Sequence, residues 1–351
     1  MSRRNIFLVG SGSLAKAIVD ALSTAPLHDL GIHIYSRETE KSNWLATIGN
    51  TRSFAFHVDQ KYYAGQVDWQ TELPLSEEMA RIRPALVIHA ASLQSMWTLA
   101  RKNRWSDLVK KAGYGVTLPL QCVLATRIGK TIAAQQEPPL FINCCYPDAV
   151  NYVLAKCGLD VLCGIGNIGI IDNVLSTQNL PPYRMLANHY HLQQLVKPPS
   201  ERTELPRLWV EGKEVDARPI FDPVRLVNDP SLNSITSISC VKLLSAILNK
   251  ENTLLHLPAP NGLPGGYPVE IREGRIAATG TGFLEPQEER SWNKKILENE
   301  GLVFGEDGML FSGTAFEGIH TYSPELAKGF TFIDAASYFA AFTAFVQDLS
   351  S

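Results

Sequence analysis

The chain has 351 residues, enough for two domains, and its 45% hydrophobic and 19% charged residues are an ordinary globular composition. The net charge of −3 argues against a nucleic-acid partner, and no apolar run approaches the ~20 residues of a membrane helix. Six scattered cysteines without a CxxC pair exclude a disulfide framework and a zinc knuckle. We therefore expect a cytoplasmic protein.

Short apolar runs alternate with helical patterns over the first 165 residues. The predicted strands cover residues 5–9, 32–36, 54–58, 85–90, 140–143 and 161–164, and the predicted helices include residues 14–22, 120–134 and 147–156. Continuous apolar strands separated by helices are typical of a parallel sheet that is covered on both faces. This pattern predicts an α/β domain over residues 1–165.

The pattern changes after about residue 180. We predict a strand over residues 184–195, a hairpin over 208–215, a helix over 234–248, antiparallel strands over 254–257, 269–272 and 275–278, and helices over 286–300 and 324–349. Residues 166–351 are therefore predicted to form a second domain of the α+β class. The last helix carries Ala and Phe on one side, which indicates packing on a core or on a second subunit of a homodimer.

A glycine-rich motif follows the first predicted strand and opens the first predicted helix. It consists of Gly10, Ser11, Gly12, Ser13, Leu14 and Ala15, in the pattern G-x-G-x-x-A. Gly10 permits a tight turn, Gly12 lets the backbone approach a pyrophosphate, and the small Ala15 lets helix and strand pack closely. Because a helix N-terminus attracts phosphate, the motif predicts a dinucleotide-binding Rossmann domain.

The end of the second predicted strand indicates which dinucleotide binds. A site for NAD usually carries an acidic residue here to bind the ribose, whereas this chain has Ser36 and Arg37, with Lys41 nearby. A serine hydroxyl and two cations suit the 2′-phosphate of NADP(H), which we therefore favour over NAD(H). Glu38 leaves the alternative open, because its carboxylate is able to bind the ribose hydroxyls instead.

Two further strand ends are predicted to reach the ligand. Ala90, Ala91 and Ser92 follow the fourth strand, where small side chains allow a cofactor to approach, and residues 93–105 are expected to cover the substrate. Arg101 or Arg104 in that segment is either a substrate ligand or part of a solvated helix face.

Asn143 ends the strand over residues 140–143, at the edge of an open α/β sheet where ligands bind. It is predicted to hold the cofactor ribose or the substrate, or alternatively to cap the next helix. Asp148 is expected to serve as an ordinary residue of the first turn of that helix.

Four segments, in chain order, resemble the lactate and malate dehydrogenase superfamily, which includes the NAD-dependent family 4 glycosidases. They are Phe141-Ile142-Asn143 with the helix that follows, residues 161–167, Met185-Leu186-Ala187-Asn188-His189, and residues 257–270. The resemblance implies a Rossmann domain followed by an α+β catalytic domain, with the active site between them. It also implies that His189 is the active-site histidine.

The chain departs from that superfamily at two places. The segment over residues 168–173 lacks the expected Asp that orients the histidine and the expected Arg that clamps a carboxylate, although Asp172 lies nearby. Gly166 and Asn167 stand where the glycosidases have a metal-binding Cys. These departures argue against a simple 2-hydroxy acid substrate and against a metal-dependent glycosidase.

His189 and His191 alternate along the strand predicted over residues 184–195, so both are expected on one face. A histidine beside a nicotinamide is able to donate a proton as hydride reaches a carbonyl or imine carbon. We predict His189 as the acid, with His191, Asn143 and Asp172 as further catalytic candidates. The sequence thus indicates an NADPH-dependent reductase. The alternatives are a redox-assisted glycosidase or lyase, and a dinucleotide sensor without catalytic activity.

Overall fold

The structure is a computed structural model that describes residues 4–69, 73–94 and 102–351. Within these residues, a six-stranded parallel sheet with the order β3-β2-β1-β4-β5-β6 forms the first part of the chain. Its strands are Arg4–Val9 (β1), Leu30–Ser36 (β2), Gln60–Gln66 (β3), Leu86–His89 (β4), Leu140–Asn143 (β5) and Cys163–Gly164 (β6). This is the strand order of the doubly wound dinucleotide-binding fold.

The central strands are apolar on both faces. Ile6 and Leu8 of β1 belong to one buried cluster, while Phe7 and Val9 belong to another on the opposite face. Because successive side chains of a strand point to opposite faces, these two clusters are the helix-covered layers on either side of the sheet. The flanking helices are Ser13–Leu22 (α1), Thr39–Ala55 (α2), Leu73–Ile82 (α3), Arg104–Ala112 (α4), Leu118–Ala133 (α5) and Pro147–Lys156 (α6).

Three small antiparallel sheets follow the parallel sheet. Their strands are Tyr183–Leu186 (β7), Arg207–Val210 (β8) and Lys213–Val215 (β9); Thr253–Pro258 (β10), Gly266–Arg272 (β11) and Arg275–Ala278 (β12); and Leu302–Phe304 (β13), Gly308–Phe311 (β14) and Phe330–Thr331 (β15). The accompanying helices are Asn167–Leu175 (α7), His189–Val196 (α8), Arg218–Phe221 (α9), Leu232–Leu248 (α10), Pro286–Glu298 (α11), Gly313–His320 (α12), Pro324–Ala327 (α13) and Ala335–Ser350 (α14).

The predicted fold class is confirmed: a Rossmann-type parallel sheet precedes an α+β region with antiparallel strands. Several predicted elements keep their positions, including β5, α6 and the hairpin of β8 and β9. The last helix packs on α5 and buries Phe339 and Phe342 in the core of the same chain. None of the helices in the described ranges is long and apolar enough to cross a membrane.

The strand predicted over residues 54–58 is wrong. Those residues end α2 and form the turn after it, and the third strand is β3 at the edge of the sheet. An edge strand faces water along one side, so β3 carries Gln60, Lys61 and Gln66 instead of a continuous apolar run. The apolar residues Phe54 and Phe56, which suggested a strand, lie exposed on the surface.

The strand predicted over residues 184–195 is also wrong beyond its first residues. The chain is extended only through β7, and α8 begins at His189. Asn188 caps this helix by accepting a hydrogen bond from the Tyr190 amide, while His191 Nδ1 accepts one from the Asn188 amide. This reciprocal cap starts a helix and explains why His189 and His191 do not alternate along a strand.

The single helix predicted over residues 324–349 is divided in two. α13 ends before Gly329, whose φ of +83° belongs to the left-handed region, and β15 follows at once. The chain then pairs with β14 through Met309 and Phe330 before α14 starts. The apolar pattern of this segment reflects burial of the strand as well as of both helices.

Candidate functional site

One large cleft opens at the carboxyl edge of the parallel sheet. Its cavity has a volume of about 890 Å³, which falls within the range of small-molecule and cofactor sites. The predicted site residues that line it are Gly10, Ser11, Gly12, Ser13, Leu14, Ser36, Arg37, Lys41, Ala90, Ala91, Ser92 and His189. The structure therefore brings the glycine motif, the second strand end and the candidate acid to one cavity.

The glycine motif forms the turn between β1 and α1. A Cβ on Gly10 would lie 2.6 Å from the Ala90 carbonyl oxygen, and the φ of +137° at Gly10 is also unfavourable for other residues. A Cβ on Gly12 would meet no protein atom within 4 Å. Ala15 is fully buried against the sheet. Gly10 is thus required by the turn, whereas Gly12 leaves open space at the start of α1, where a diphosphate would lie.

The end of β2 presents polar and charged groups to the same cleft. The Ser36 hydroxyl donates a hydrogen bond to the Glu38 carbonyl at 2.8 Å and is buried. Lys41 pairs with the exposed Glu38 carboxylate at 2.8 Å. The Arg37 side chain is exposed on the cleft and makes no ion pair with a described residue. Arg37 is therefore the cation at this end that is available to a ligand.

Ala90, Ala91 and Ser92 line the cleft after β4, as expected for a close approach of a ligand. Asn143 does not line it. The Asn143 amide donates to the Cys145 carbonyl at 3.1 Å and to Asn151 Oδ1 at 2.8 Å, and its oxygen accepts from the Cys145 amide. These bonds fix the turn between β5 and α6, and Cys145 and Tyr146 of that turn reach the cavity instead.

His189 lines the same cleft as Arg37 and lies at the start of α8. It is 7% exposed and its Nδ1 lies 2.6 Å from Glu300 Oε1, so Nδ1–H donates to this carboxylate. Burial opposes a charge on the ring, but the charge and the hydrogen bond of Glu300 outweigh it and raise the pKa of His189 above its ordinary value. His189 Nε2 makes no bond to a described residue and is the nitrogen available to the cleft.

Two further donors hold the Glu300 carboxylate. Gln193 donates from Nε2 to Oε1 at 2.8 Å, and the Tyr146 hydroxyl donates to Oε2 at 2.9 Å. Glu300 itself is 4% exposed and follows α11 near the end of the chain. Since both oxygens accept hydrogen bonds, the carboxylate is fixed in position and orients the His189 ring.

Aromatic rings enclose His189 within the cleft. Tyr114 stacks on the His189 ring with centroids 5.1 Å apart, and Tyr146 meets it edge-on at 4.9 Å. Tyr146 adopts φ +44° and ψ +53°, a left-handed conformation that bulky residues rarely take. A backbone conformation of this kind costs free energy and persists only where the surrounding structure holds it. Residues with such conformations are common at functional sites. In this conformation the Tyr146 ring lies beside His189, and the Tyr146 hydroxyl donates a hydrogen bond to Glu300.

Asp148 supports His189 through the backbone. Its Oδ1 accepts a hydrogen bond from the His189 amide at 3.1 Å, while its Oδ2 is buried without a hydrogen-bond partner. Burial raises the pKa of Asp148 to about 6, although the charge of His189 opposes the shift. The prediction that Asp148 lies in the first turn of α6 is correct, and the structure adds its contact with the start of α8.

His191 and Asp172 do not line the cleft. His191 is fully buried, stacks on Trp292, and accepts the Asn188 amide hydrogen bond, and burial lowers its pKa to about 3. Asp172 binds a histidine other than His189: its Oδ1 lies 2.7 Å from His256 Nδ1. Both residues therefore make contacts within the core and are not partners of His189.

Of the two candidate arginines, the structure describes Arg104, which does not line the cleft. Arg101 lies outside the described residues. Arg104 starts α4 and donates to the Asp348 carbonyl of the last helix at 3.0 Å, away from the cleft. The side chain of Arg104 is exposed, which agrees with the alternative prediction that it belongs to a solvated helix face. Within the described ranges, no group of three or more His, Cys, Asp or Glu side chains is placed to hold a metal ion.

No protein-family model and no curated protein sequence matches the chain. The structure does resemble solved structures of dehydrogenases. A malate dehydrogenase from Picrophilus torridus has 12% identity and a TM-score of 0.56, with 98% of this chain and all of that chain covered. One from Archaeoglobus fulgidus, in complex with NADH, has 12% identity and a TM-score of 0.55, covering 84% of this chain and 98% of that one.

A lactate dehydrogenase from Cryptosporidium parvum, complexed with lactic acid and a nicotinamide adenine dinucleotide, gives a TM-score of 0.50 at 13% identity and covers 86% of this chain and 96% of that one. These likenesses extend over both the parallel sheet and the antiparallel region. The chain therefore has the fold of the lactate and malate dehydrogenases, which confirms, for the fold, the resemblance found in its sequence.

Proposed function

We propose that the protein is an NADPH-dependent reductase that transfers hydride to the carbonyl or imine carbon of a small molecule. The observation that carries the proposal is the presence, in one cleft, of the open glycine turn at Gly12 and of the His189–Glu300 pair. The fold alone does not specify a reaction, because function depends on the site built onto it. Here both halves of a reductase site face the same cavity.

The residues at the glycine end fit a dinucleotide. The start of α1 offers amide groups and the positive end of a helix dipole, and the space beside Gly12 is free of protein atoms. Gly10 to Ser13 would hold the diphosphate. The bound cofactor supplies the hydride, while the protein supplies orientation and electrostatics.

The residues at the other end fit proton donation. His189, with its Nδ1 held by Glu300, would direct Nε2–H toward the substrate oxygen or nitrogen that gains negative charge as hydride arrives. Glu300 stabilises the charged imidazole before the transfer. After it, His189 is neutral and takes its next proton from water that enters the cleft. The raised pKa of His189 favours the protonated ring that donation requires.

The preference for NADPH rests on Arg37. Its guanidinium is exposed on the cleft and unpaired among described residues, whereas Glu38 is already engaged by Lys41. A guanidinium is well suited to a 2′-phosphate. Lys41 also lines the cleft, so the local cations support NADPH over NADH.

The intact His189–Glu300 pair favours an enzyme over a dinucleotide sensor without activity. A sensor has no need for a buried histidine fixed by a carboxylate that two further donors hold, since burying these groups costs free energy unless they are all paired. The test is a fluorescence titration with NADPH and NADH, followed by consumption of NADPH with a panel of aldehydes, ketones and imines. Binding with stoichiometric oxidation of NADPH supports the proposal. Absence of binding by either dinucleotide refutes it, and tight binding without turnover would support the sensor.

A further inference from the structure

A buried glutamine faces the cleft and contacts the hydroxyl of Tyr114, whose ring stacks on His189. Gln121 lies in the first turn of α5, is 1% exposed, and lines the cavity. Its Nε2 donates to the Gln94 carbonyl at 2.8 Å and to the Tyr114 hydroxyl at 3.0 Å. Because both acceptors bind the NH₂ group, these bonds fix which end of the amide carries the nitrogen. The carbonyl oxygen therefore faces away from the two acceptors.

The carbonyl oxygen of Gln121 accepts no hydrogen bond from a described residue. This oxygen is not among the described side-chain atoms that are buried without a partner, so it is open to the cavity, where water or a ligand supplies its donor. The residue lines the same cavity as His189, so the missing donor comes from whatever fills that cavity. Gln121 Oε1 is therefore suited to a ligand group that carries a hydrogen.

Neighbouring residues hold Gln121 in place. The Gln94 carbonyl that accepts from Gln121 also accepts from the Ser92 hydroxyl at 2.6 Å, and Gln94 Oε1 accepts from the buried indole of Trp105 at 2.7 Å. Tyr114 joins the two ends of the site, because its hydroxyl binds Gln121 and its ring stacks on His189. The acceptor is thus preorganised at a fixed position relative to the candidate acid.

We propose that Gln121 is a specificity residue whose Oε1 binds a hydroxyl or amino group of the substrate, so that the enzyme reduces hydroxy- or amino-substituted carbonyl compounds. The inference rests on the proposed reductase function and names its substrate class. A site built to bind a substrate hydroxyl discriminates strongly against an analogue that lacks it, because the buried polar group is then left unpaired. The discrimination is on the order of 10²-fold or more in kcat/KM.

The test uses ketone pairs that differ only by a hydroxyl in place of a methyl group: hydroxyacetone with butanone, and 4-hydroxy-2-butanone with 2-pentanone. The two pairs place the hydroxyl at different distances from the carbonyl. NADPH oxidation is measured for the wild type, for Gln121→Met, and for the control Gln135→Met, which makes the same change at a glutamine that binds Ser76 away from the cleft. NADPH affinity is measured for each protein by fluorescence titration.

The proposal predicts that the wild type and Gln135→Met prefer the hydroxy ketone of at least one pair by roughly 10²-fold. In Gln121→Met the preference should fall at least tenfold while NADPH affinity is unchanged. Equal rates for both members of each pair in the wild type, or a preference that survives in Gln121→Met, would overturn it.

A second measurement separates this proposal from the proposed function. If none of the four ketones is reduced, saturation-transfer NMR of the same compounds decides the role of Gln121, while the reductase proposal is decided separately by dinucleotide binding and by the wider panel of aldehydes, ketones and imines. Selective binding of a hydroxy ketone that is lost in Gln121→Met supports the subsite. Binding of neither member, or of both equally, rejects it.

Discussion

Glu300 accepts a hydrogen bond from His189 at 2.6 Å across 111 residues of sequence. In the dehydrogenases that the sequence resembles, an Asp on the helix before the histidine has this orienting role. The residue near that position, Asp172, is bonded to His256 instead. A carboxylate 111 residues further along the chain thus orients the candidate acid. Removing this carboxylate tests whether the His189–Glu300 pair takes part in proton donation.

Glu300→Gln should shift the pH dependence of NADPH oxidation. Proton donation needs a protonated His189, so activity is constant below the pKa of His189 and falls as pH rises through it. Glu300 raises that pKa against the opposing effect of burial, so the variant should move the descending limb of the kcat/KM profile to lower pH. We expect a loss of roughly 10²-fold on the descending limb of the wild-type profile. Glu300→Asp keeps the charge, so its kcat/KM profile should stay closer to that of the wild type. An unshifted descending limb in Glu300→Gln would contradict the proposed effect of Glu300 on the pKa of His189.

His189 and His191 should respond differently to replacement. His189→Asn should lower kcat by roughly 10²–10⁴-fold, the usual contribution of a general acid, with NADPH affinity within about twofold of the wild type. His191→Ala should instead lower the free energy of unfolding by about 2–4 kcal/mol, because it removes a buried ring and a helix cap. Steady-state kinetics and urea denaturation of both variants measure this difference. Equal losses of kcat in two folded variants would argue against a catalytic role for His189 and a structural role for His191.

The two glycines of the β1–α1 turn offer a matched pair. Gly12→Ala adds a methyl group to empty space, so the melting temperature should hardly change while the Kd for NADPH rises at least about tenfold. Gly10→Ala forces a Cβ to 2.6 Å from a carbonyl oxygen and should destabilise the fold. Fluorescence titration and thermal melting distinguish the effects. Normal NADPH binding by Gly12→Ala would place the diphosphate elsewhere.

Arg37→Ala should change the choice of cofactor. Loss of the guanidinium removes a charge-assisted bond to the 2′-phosphate, so the Kd for NADPH should rise by about tenfold or more while the Kd for NADH changes less than about twofold. Lys61→Ala, at the opposite end of the neighbouring strand, is the control for a lost surface cation. Equal losses for the two dinucleotides would refute the NADPH preference.

Asp148 should make stability depend on pH. Its pKa is about 6 in the folded protein against an ordinary value of 3.8, so the folded state holds a proton that the unfolded state releases first as pH rises. Stability is therefore lost between about pH 4 and pH 6. Relative to Asp148→Asn, the wild type should be more stable at pH 4 than at pH 7 by about 2 kcal/mol. A constant difference between the two proteins in urea denaturation would rule out this titration.

The sequence predicts those parts of the fold whose cause is local. β1, β5 and α6 were recognisable because buried strands are continuously apolar and helices show their own periodicity. The glycine turn was predictable because its residues are adjacent in the chain. The edge strand β3 was missed since it is polar, and α8 was missed although Asn188 carries the signal of an N-terminal cap.

Contacts between distant residues were not predictable in the same way. Glu300 ends a predicted helix and nothing in its neighbourhood distinguishes it from a surface glutamate. Its role depends on the packing of α11 and the following turn against α6 and α8, which brings Tyr146 and His189 to its two oxygens. Asn143 was placed at the correct strand end, but its amide is used within the turn, and only the three-dimensional structure reveals that use.

The most direct test of the account is a crystal structure of the protein grown with NADPH. The account predicts the diphosphate against the amides from Gly10 to Ser13, the 2′-phosphate beside Arg37, and the nicotinamide ring at the end of the cleft that holds His189. A cleft without dinucleotide at saturating concentration, or a nicotinamide ring bound away from His189, would contradict it.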